Sequence, residues 1–264
     1  MARYDCISLT TDYGLSDGFV AACHGVLARL APHARVIDVT HLVPPGEVAQ
    51  GANVLAQTVP HLPTAVHVAV VDPGVGTKRD IVAVVANGHA FLAPDNGLLA
   101  PIVTQVPTAK IHRFDAAGAA GKFKLPPASA TFHGRDIFAP LAAEIAGRRA
   151  SPADLGPRTH DIVPSWVDEP SVAADQVAGV VMTTDHFGNL ITNIDGALIE
   201  SFRRPMVKTG GHSFALRRTY GDVSPGEFLA LVNSFGVVEI ARAEQSAAEA
   251  LGLGRGAPVT ISSR

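Results

Sequence analysis

The chain has 264 residues, 47% of them hydrophobic and only 17% charged, which is ample for a buried core and excludes a disordered protein. Its 21 Lys+Arg against 24 Asp+Glu leave a formal charge of -3, without the basic excess expected of a nucleic-acid-binding protein. Two cysteines, Cys6 and Cys23, exclude a disulfide scaffold and a four-cysteine metal site, and they suit a reducing compartment. The first residues lack a signal-peptide pattern, and no 18-residue run is free of charged or strongly polar groups. These features predict a cytoplasmic protein with no membrane partner.

The first half alternates strand and helix patterns. Cys6 to Thr10 is an apolar run ending in Thr11-Asp12-Tyr13-Gly14, followed by helical spacing from about Asp17 to Leu30, for which Ser16 or Asp17 would be the N-cap. Arg35 to Val39 reads as a strand and Glu47 to Val59 as a helix after the turn Pro44-Pro45-Gly46. Ala65 to Val71 is almost wholly apolar, as expected of a strand buried on both faces. Ile81 to Ala86 and His89 to Leu92 flank Asn87-Gly88 and predict a hairpin. Gly97 to Val103 and Ile137 to Ile145 read as helices. The alternation predicts an α/β domain with a largely parallel sheet over residues 1–160.

Ser151 to Pro170 carries four prolines and no strong periodicity, and predicts a linker, placed at 161–175 in the division of the chain. Beyond it strand patterns dominate: Val177 to Thr184, Leu190 to Ile194, Ser213 to Arg218, Phe228 to Val232, Val237 to Ala241 and Val259 to Ser262. A short helix, Ser246 to Leu251, interrupts them. Residues 176–264 are therefore expected to form an all-β, barrel-like domain.

Five segments could carry chemistry. Val71-Asp72-Pro73-Gly74-Val75-Gly76-Thr77-Lys78-Arg79 follows the most apolar strand, where open α/β sheets bind ligands. It fits neither a Walker loop nor a dinucleotide fingerprint, and it also reads as a tight turn with solvated Lys78 and Arg79. Asp12, at a strand end, could accept from a sugar diol, although spacing alone favours local capping as the account of Thr11 to Asp17. His133 sits at a loop-to-helix junction in Phe132-His133-Gly134-Arg135-Asp136, where spacing alone favours a cap or surface role; no His-x-x-x-His or Cys-x-x-Cys spacing accompanies it, so no transition-metal site is expected. Asp185-His186-Phe187-Gly188-Asn189 and Asn233-Ser234-Phe235-Gly236 both read as hairpin turns.

Taken together and in order, these segments resemble one family, the S-adenosyl-L-methionine (SAM) hydroxide adenosyltransferases or SAM hydrolases, relatives of the SAM-dependent fluorinating and chlorinating enzymes. The resemblance runs from Thr10 to about Ile261 and also takes in Pro44-Pro45-Gly46 with Gly51-Ala52, and Pro94-Asp95-Asn96-Gly97. It implies an α/β N-terminal and a barrel-like C-terminal domain, and a homotrimer whose sites each combine the N-terminal domain of one subunit with the C-terminal domain of the next. It implies an Asp-Arg-His set that falls on Asp72, Arg79 and His133 and holds water or hydroxide in line with the ribose C5′. Halogenating relatives carry Tyr in place of the Asp and lack the His. The implied reaction turns SAM, as substrate, and water into adenosine and L-methionine, with no cofactor and no metal.

Less specifically, the resemblance places Asp12 on the ribose hydroxyls and Asp17 and Asp185 on the methionine ammonium. It places Phe187 on the adenine face, Asn189 on its edge and Ser234 on the methionine carboxylate. It departs at Phe235, where halogenating members have Arg, and at Ala243-Glu244-Gln245-Ser246. The competing functions are a halogenase forming 5′-halo-adenosine and a non-catalytic adenosine-compound binder.

Overall fold

The computed structural model describes residues 4–167 and 169–263, which form two compact units, Met1–Trp166 and Val167–Arg264. The first contains β1 (Cys6–Thr11), α1 (Phe19–Leu30), β2 (Arg35–Thr40), α2 (Val48–Thr58), β3 (Val66–Val70), β4 (Ile81–Ala86) and β5 (His89–Pro94). It continues with α3 (Ala100–Gln105), β6 (Lys110–Phe114), α4 (Ala116–Lys122), α5 (Ala139–Ala146), α6 (Pro152–Leu155) and β7 (Arg158–Thr159). The sheet order is β2-β1-β3-β5-β4-β6-β7. The β2-β1-β3-β5 half is parallel, whereas β4, β6 and β7 pair antiparallel. The α/β expectation agrees with this mixed sheet.

Both sheet faces are buried, which explains the unbroken apolar run of β3. Val66, Val68 and Val70 point into one core with Leu27 of α1 and Leu141 of α5. Ala69 and Val71 point into the other with Leu55 of α2 and Ile102 of α3. Period-two alternation between two helical layers leaves no position for a polar face. One polar chain is nonetheless enclosed: Ser8 Oγ lies 2.6 Å from His67 Nδ1, and His67 Nε2 lies 2.8 Å from His89 Nδ1. Burial, with His89 nearby, pushes the His67 ring down to about 3, so it is neutral at physiological pH.

Three local readings differ from the structure. Helix α1 starts after Gly18, which is its N-cap, and neither Ser16 nor Asp17 caps it. The segment expected to be irregular supplies α6, closed by a reciprocal Ser151–Asp154 capping box, and β7, which pairs with β6. A π-helical turn, Gly134–Phe138, precedes α5.

The second unit contains β8 (Ser171–Val172), β9 (Gln176–Thr184), β10 (Leu190–Asp195), β11 (Met206–Thr209) and β12 (His212–Ala215). It continues with β13 (Phe228–Val232), β14 (Val237–Arg242), α7 (Ala247–Leu251) and β15 (Pro258–Ser262). The order β12-β11-β15-β9-β10-β14-β13, with β8 on β9, is antiparallel throughout. A bridge between Leu216 and Ala230 nearly closes it into the expected barrel. β11 was missed because its four residues, wedged between Pro205 and Gly210, are too few to show alternation. Among the described residues no helix is long and apolar enough to cross a membrane.

Candidate functional site

In the first unit the site is built on the loops that follow β1 and β3, at the carboxyl ends of parallel strands. Asp72 lies two residues beyond β3, and its side chain is only 4% exposed. Arg79, at the far end of the same loop, grips it: Nε donates to Oδ1 at 3.1 Å and to Oδ2 at 3.0 Å, and Nη2 donates to Oδ2. The same Nη2 lies 3.0 Å from Nδ1 of His133, which is buried and comes from the segment leading into α5. A guanidinium only donates, so His133 Nδ1 is the acceptor and the ring proton resides on Nε2. Burial foremost, then the adjacent Arg79 charge, holds His133 below the ordinary histidine value, with Asp72 and Asp136 opposing, so the ring is neutral at physiological pH.

Close packing sets these three side chains. A Cβ on Gly76, whose φ is +76°, would lie 2.2 Å from the Ala130 carbonyl oxygen, so only glycine lets the Asp72–Arg79 loop approach the 129–131 segment. A Cβ on Gly134 would lie 2.0 Å from the Tyr13 hydroxyl, so the residue after His133 must also be glycine. Tyr13, Phe19 and Phe132 meet in edge-on and tilted contacts that wedge the β1 loop against the His133 segment. Burial raises the Tyr13 phenol well above its ordinary value, so it stays neutral.

Asp12 is half-buried and accepts from the Gly46 amide at 2.9 Å, tying the β1 loop to Pro44-Pro45-Gly46. Asp17 is exposed ahead of α1. Asn96 donates to the Val71 carbonyl at 2.8 Å, so the Pro94–Gly97 turn supports the strand end beside Asp72.

In the second unit, Asp185 organises its own turn between β9 and β10. Its Oδ1 accepts from the Phe187 and Asn189 amides at 2.9 Å each, and its Oδ2 accepts from Asn189 Nδ2 at 2.9 Å. Phe187 is 75% exposed, while Asn189 is buried. Phe187, Asn189, Tyr220, Arg242, Glu244, Gln245 and Ser246 line a cavity of about 540 Å³, which includes most of the segment where the family resemblance departs. Ser234 is exposed at the tip of the β13–β14 turn, in which Asn233 Oδ1 accepts from the amides of Phe235 and Val237.

Sequence reasoning missed Glu239. It lies inside β14, only 2% exposed, and accepts from the Tyr220 hydroxyl at 2.6 Å and from Asn233 Nδ2 at 3.2 Å. Burial raises its carboxyl above the ordinary value; the two hydrogen bonds oppose this and the Asp185 charge adds to it. Glu239 thus fixes the turn that carries Ser234. An acidic residue in Val-Val-Glu-Ile-Ala reads as one solvent-facing position of a strand, which is why alternation hid it.

Comparison with known proteins gives matches in both units. Residues 7–156 match the SAM hydroxide adenosyltransferase N-terminal domain, and residues 179–260 match the C-terminal domain. An (R)-S-adenosyl-L-methionine hydrolase of Salinispora arenicola is 50% identical over 91% of each chain, and one of Thermus thermophilus is 39% identical over 95% of this chain and 97% of its own. A fluorinase of Actinoplanes is 27% identical over 97% of this chain and 96% of its own. An uncharacterised conserved protein of Thermotoga maritima superimposes with a TM-score of 0.87 at 32% identity, over 97% of this chain and 99% of that one.

Proposed function

This chain belongs to the SAM hydroxide adenosyltransferase family, and from that premise we propose that it hydrolyses SAM to adenosine and L-methionine. The observation that carries the reading is the buried Asp72–Arg79–His133 knot, whose carboxylate keeps an acceptor and whose imidazole keeps a donor for a water molecule in our reading. A carboxylate has about four lone-pair sites, and Arg79 uses three at Asp72, leaving one for a water proton. His133 Nε2–H donates to one lone pair of the water oxygen, and the other lone pair attacks the ribose C5′. The O–C5′ bond forms as the C5′–S bond breaks, and sulfur keeps the electron pair as the neutral thioether of methionine. The water proton passes to Asp72. The sulfonium is already a good leaving group and needs no general acid, so placement and partial desolvation of the nucleophile are what the protein supplies.

The same knot disfavours a halide. A halide at the nucleophile position could accept from His133 Nε2–H but would be repelled by the buried carboxylate of Asp72, whereas water can donate to it. We extend the reading to recognition: Asp12 on the ribose hydroxyls, Asp17 and Asp185 on the ammonium, Phe187 stacked on adenine and Ser234 on the carboxylate. Asn189 donates to Asp185, and its amide oxygen is left for the adenine amino group. Glu239 is a positioning residue for Ser234. The relatives' names specify the R sulfonium, and we extend that preference to this chain. We also propose a cytoplasmic homotrimer using no cofactor.

Incubation with SAM in chloride or fluoride buffer containing oxygen-18 water tests the reaction. The expected product is adenosine labelled at the 5′-hydroxyl; 5′-halo-adenosine, or ligand retained without turnover, overturns the reading. Light scattering tests the assembly, with a mass three times that of one chain expected.

A further inference from the structure

A second cluster of chemistry-bearing side chains lies behind the β1 loop. His24 comes from α1, Asp38 from β2 and His41 from just beyond β2. His24 Nε2 lies 2.9 Å from Asp38 Oδ1 and 3.1 Å from Oδ2, and His41 Nε2 lies 3.0 Å from Oδ1. Each residue offers one ligand atom, and the three atoms lie within 4.8 Å of one another. Ligands of a tetrahedral zinc ion, each about 2.0–2.2 Å from the metal, are separated by roughly 3.3–3.6 Å, so an ion would spread the present 2.9 and 3.0 Å N···O approaches by a few tenths of an ångström.

His41 distinguishes this cluster from an ordinary ion pair. Its side chain is 3% exposed, and its buried Nε2 makes no hydrogen bond of acceptable geometry although a carboxylate oxygen is 3.0 Å away. With the ring proton on Nδ1, Nε2 keeps a lone pair facing the carboxylate, which a cation between them would satisfy. The other ring nitrogen, Nδ1, lies 2.8 Å from Thr11 Oγ1. An outer hydrogen bond of this kind fixes the ring and leaves Nε2 as the ligand atom. Two imidazoles and one carboxylate favour a divalent transition ion over magnesium or calcium, which prefer all-oxygen sites.

We propose that His24, Asp38 and His41 bind one divalent transition-metal ion of the zinc class, as a site separate from the Asp72–Arg79–His133 knot. The ion ties α1 to the end of β2. It also braces the β1 loop from behind, because the His41 carbonyl accepts from the Gly14 amide at 2.8 Å and its ring holds Thr11. The role is structural and does not depend on which reaction the chain performs. It also explains why linear spacing gave no indication of a metal: the ligands are 14 and 3 positions apart, with no helical or hairpin motif joining them.

The test uses tag-free, full-length protein stripped with a chelator. Calorimetric titration with zinc chloride is expected to show one equivalent per chain, and cobalt(II) is expected to give visible d–d absorption of low-coordinate N/O ligation. Zinc should raise the thermal midpoint of the stripped protein. His24→Ala and Asp38→Asn alter partly exposed side chains, and folding can be checked by circular dichroism. Each should weaken zinc binding by 30-fold or more, and Thr11→Val by roughly tenfold. Absence of zinc binding at 100 µM, or binding unchanged in His24→Ala and Asp38→Asn, overturns the proposal and leaves a His–Asp–His hydrogen-bonded network. Displacement of zinc by equimolar calcium overturns the assigned metal class.

Discussion

The two units hold their candidate contact residues in different ways. In the first, Asp72, Arg79 and His133 bond to one another across a buried space, with side chains from distant segments. In the second, Asp185 and Asn233 bond mostly to the backbone of their own turns, and what they display is an exposed ring, Phe187, and an exposed hydroxyl, Ser234. A network of buried side chains is rigid and electrostatically strong because it is desolvated, and removing one member strands the others. A turn organised by its own backbone is sturdy locally and leaves its outward side chains free to vary. The first arrangement suits reaction chemistry and the second suits recognition.

The comparison can be broken most directly at Asp72. Asp72→Asn is expected to lower adenosine formation by about 10³-fold, within the range of a lost general base, measured by chromatography of product. The same change leaves the buried Arg79 charge without its partner, so a drop of about 3–5 kcal/mol in unfolding free energy should accompany it. Equal activity in wild type and variant would sink the proposed role. Gly76→Ala tests the packing that brings the knot together. The intruding Cβ and the positive φ should cost about 2–4 kcal/mol in chemical denaturation.

Phe187→Ala sharpens the other half of the contrast. The ring is exposed, so stability should change by less than about 0.5 kcal/mol. Loss of base stacking, worth about 1–3 kcal/mol, should instead raise the KM for SAM by roughly 5- to 160-fold with kcat nearly constant. Equal losses in kcat and kcat/KM would place Phe187 in the transition state and contradict a purely recognition role.

The smallest expected effect is one of pH, and its sign differs between the units. His133 has a folded value below the ordinary 6.5, so its contribution to stability is complete above 6.5 and is lost as pH falls through the folded value. Activity should decline over the same fall, as His133 gains a proton at Nδ1 and is repelled by Arg79. Glu239 has a folded value above the ordinary 4.5. Its contribution is complete below 4.5 and is lost as pH rises through the folded value. Urea midpoints measured between pH 4 and 8 should therefore show a weaker acid-side gain in Glu239→Gln than in wild type. An unchanged profile in that variant would show that Glu239 ionises as though exposed.

Much of the architecture could be read from the chain because it is locally encoded. The apolar run of β3 gave its two-sided burial, and Asn87-Gly88 gave the β4–β5 hairpin. The Asp185–Asn189 turn was legible for the same reason, since its bonds span at most four residues. Elements too short to show a period, such as β11 and β7, escaped notice and owe their existence to the strands beside them.

The sequence by itself determined the two-part α/β and β-barrel-like design, because alternation and turn chemistry act over a few residues. It also brought Asp72 and Arg79 onto one loop, seven positions apart. Only the tertiary structure decided that this loop meets His133, 54 positions away from Arg79, and that the shared guanidinium places the imidazole proton on Nε2. It also decided that Glu239 is enclosed and that His24, Asp38 and His41 converge. Hydrogen bonding and desolvation depend on which groups meet in space, and residues far apart in the chain meet only once the sheet and its helices have packed.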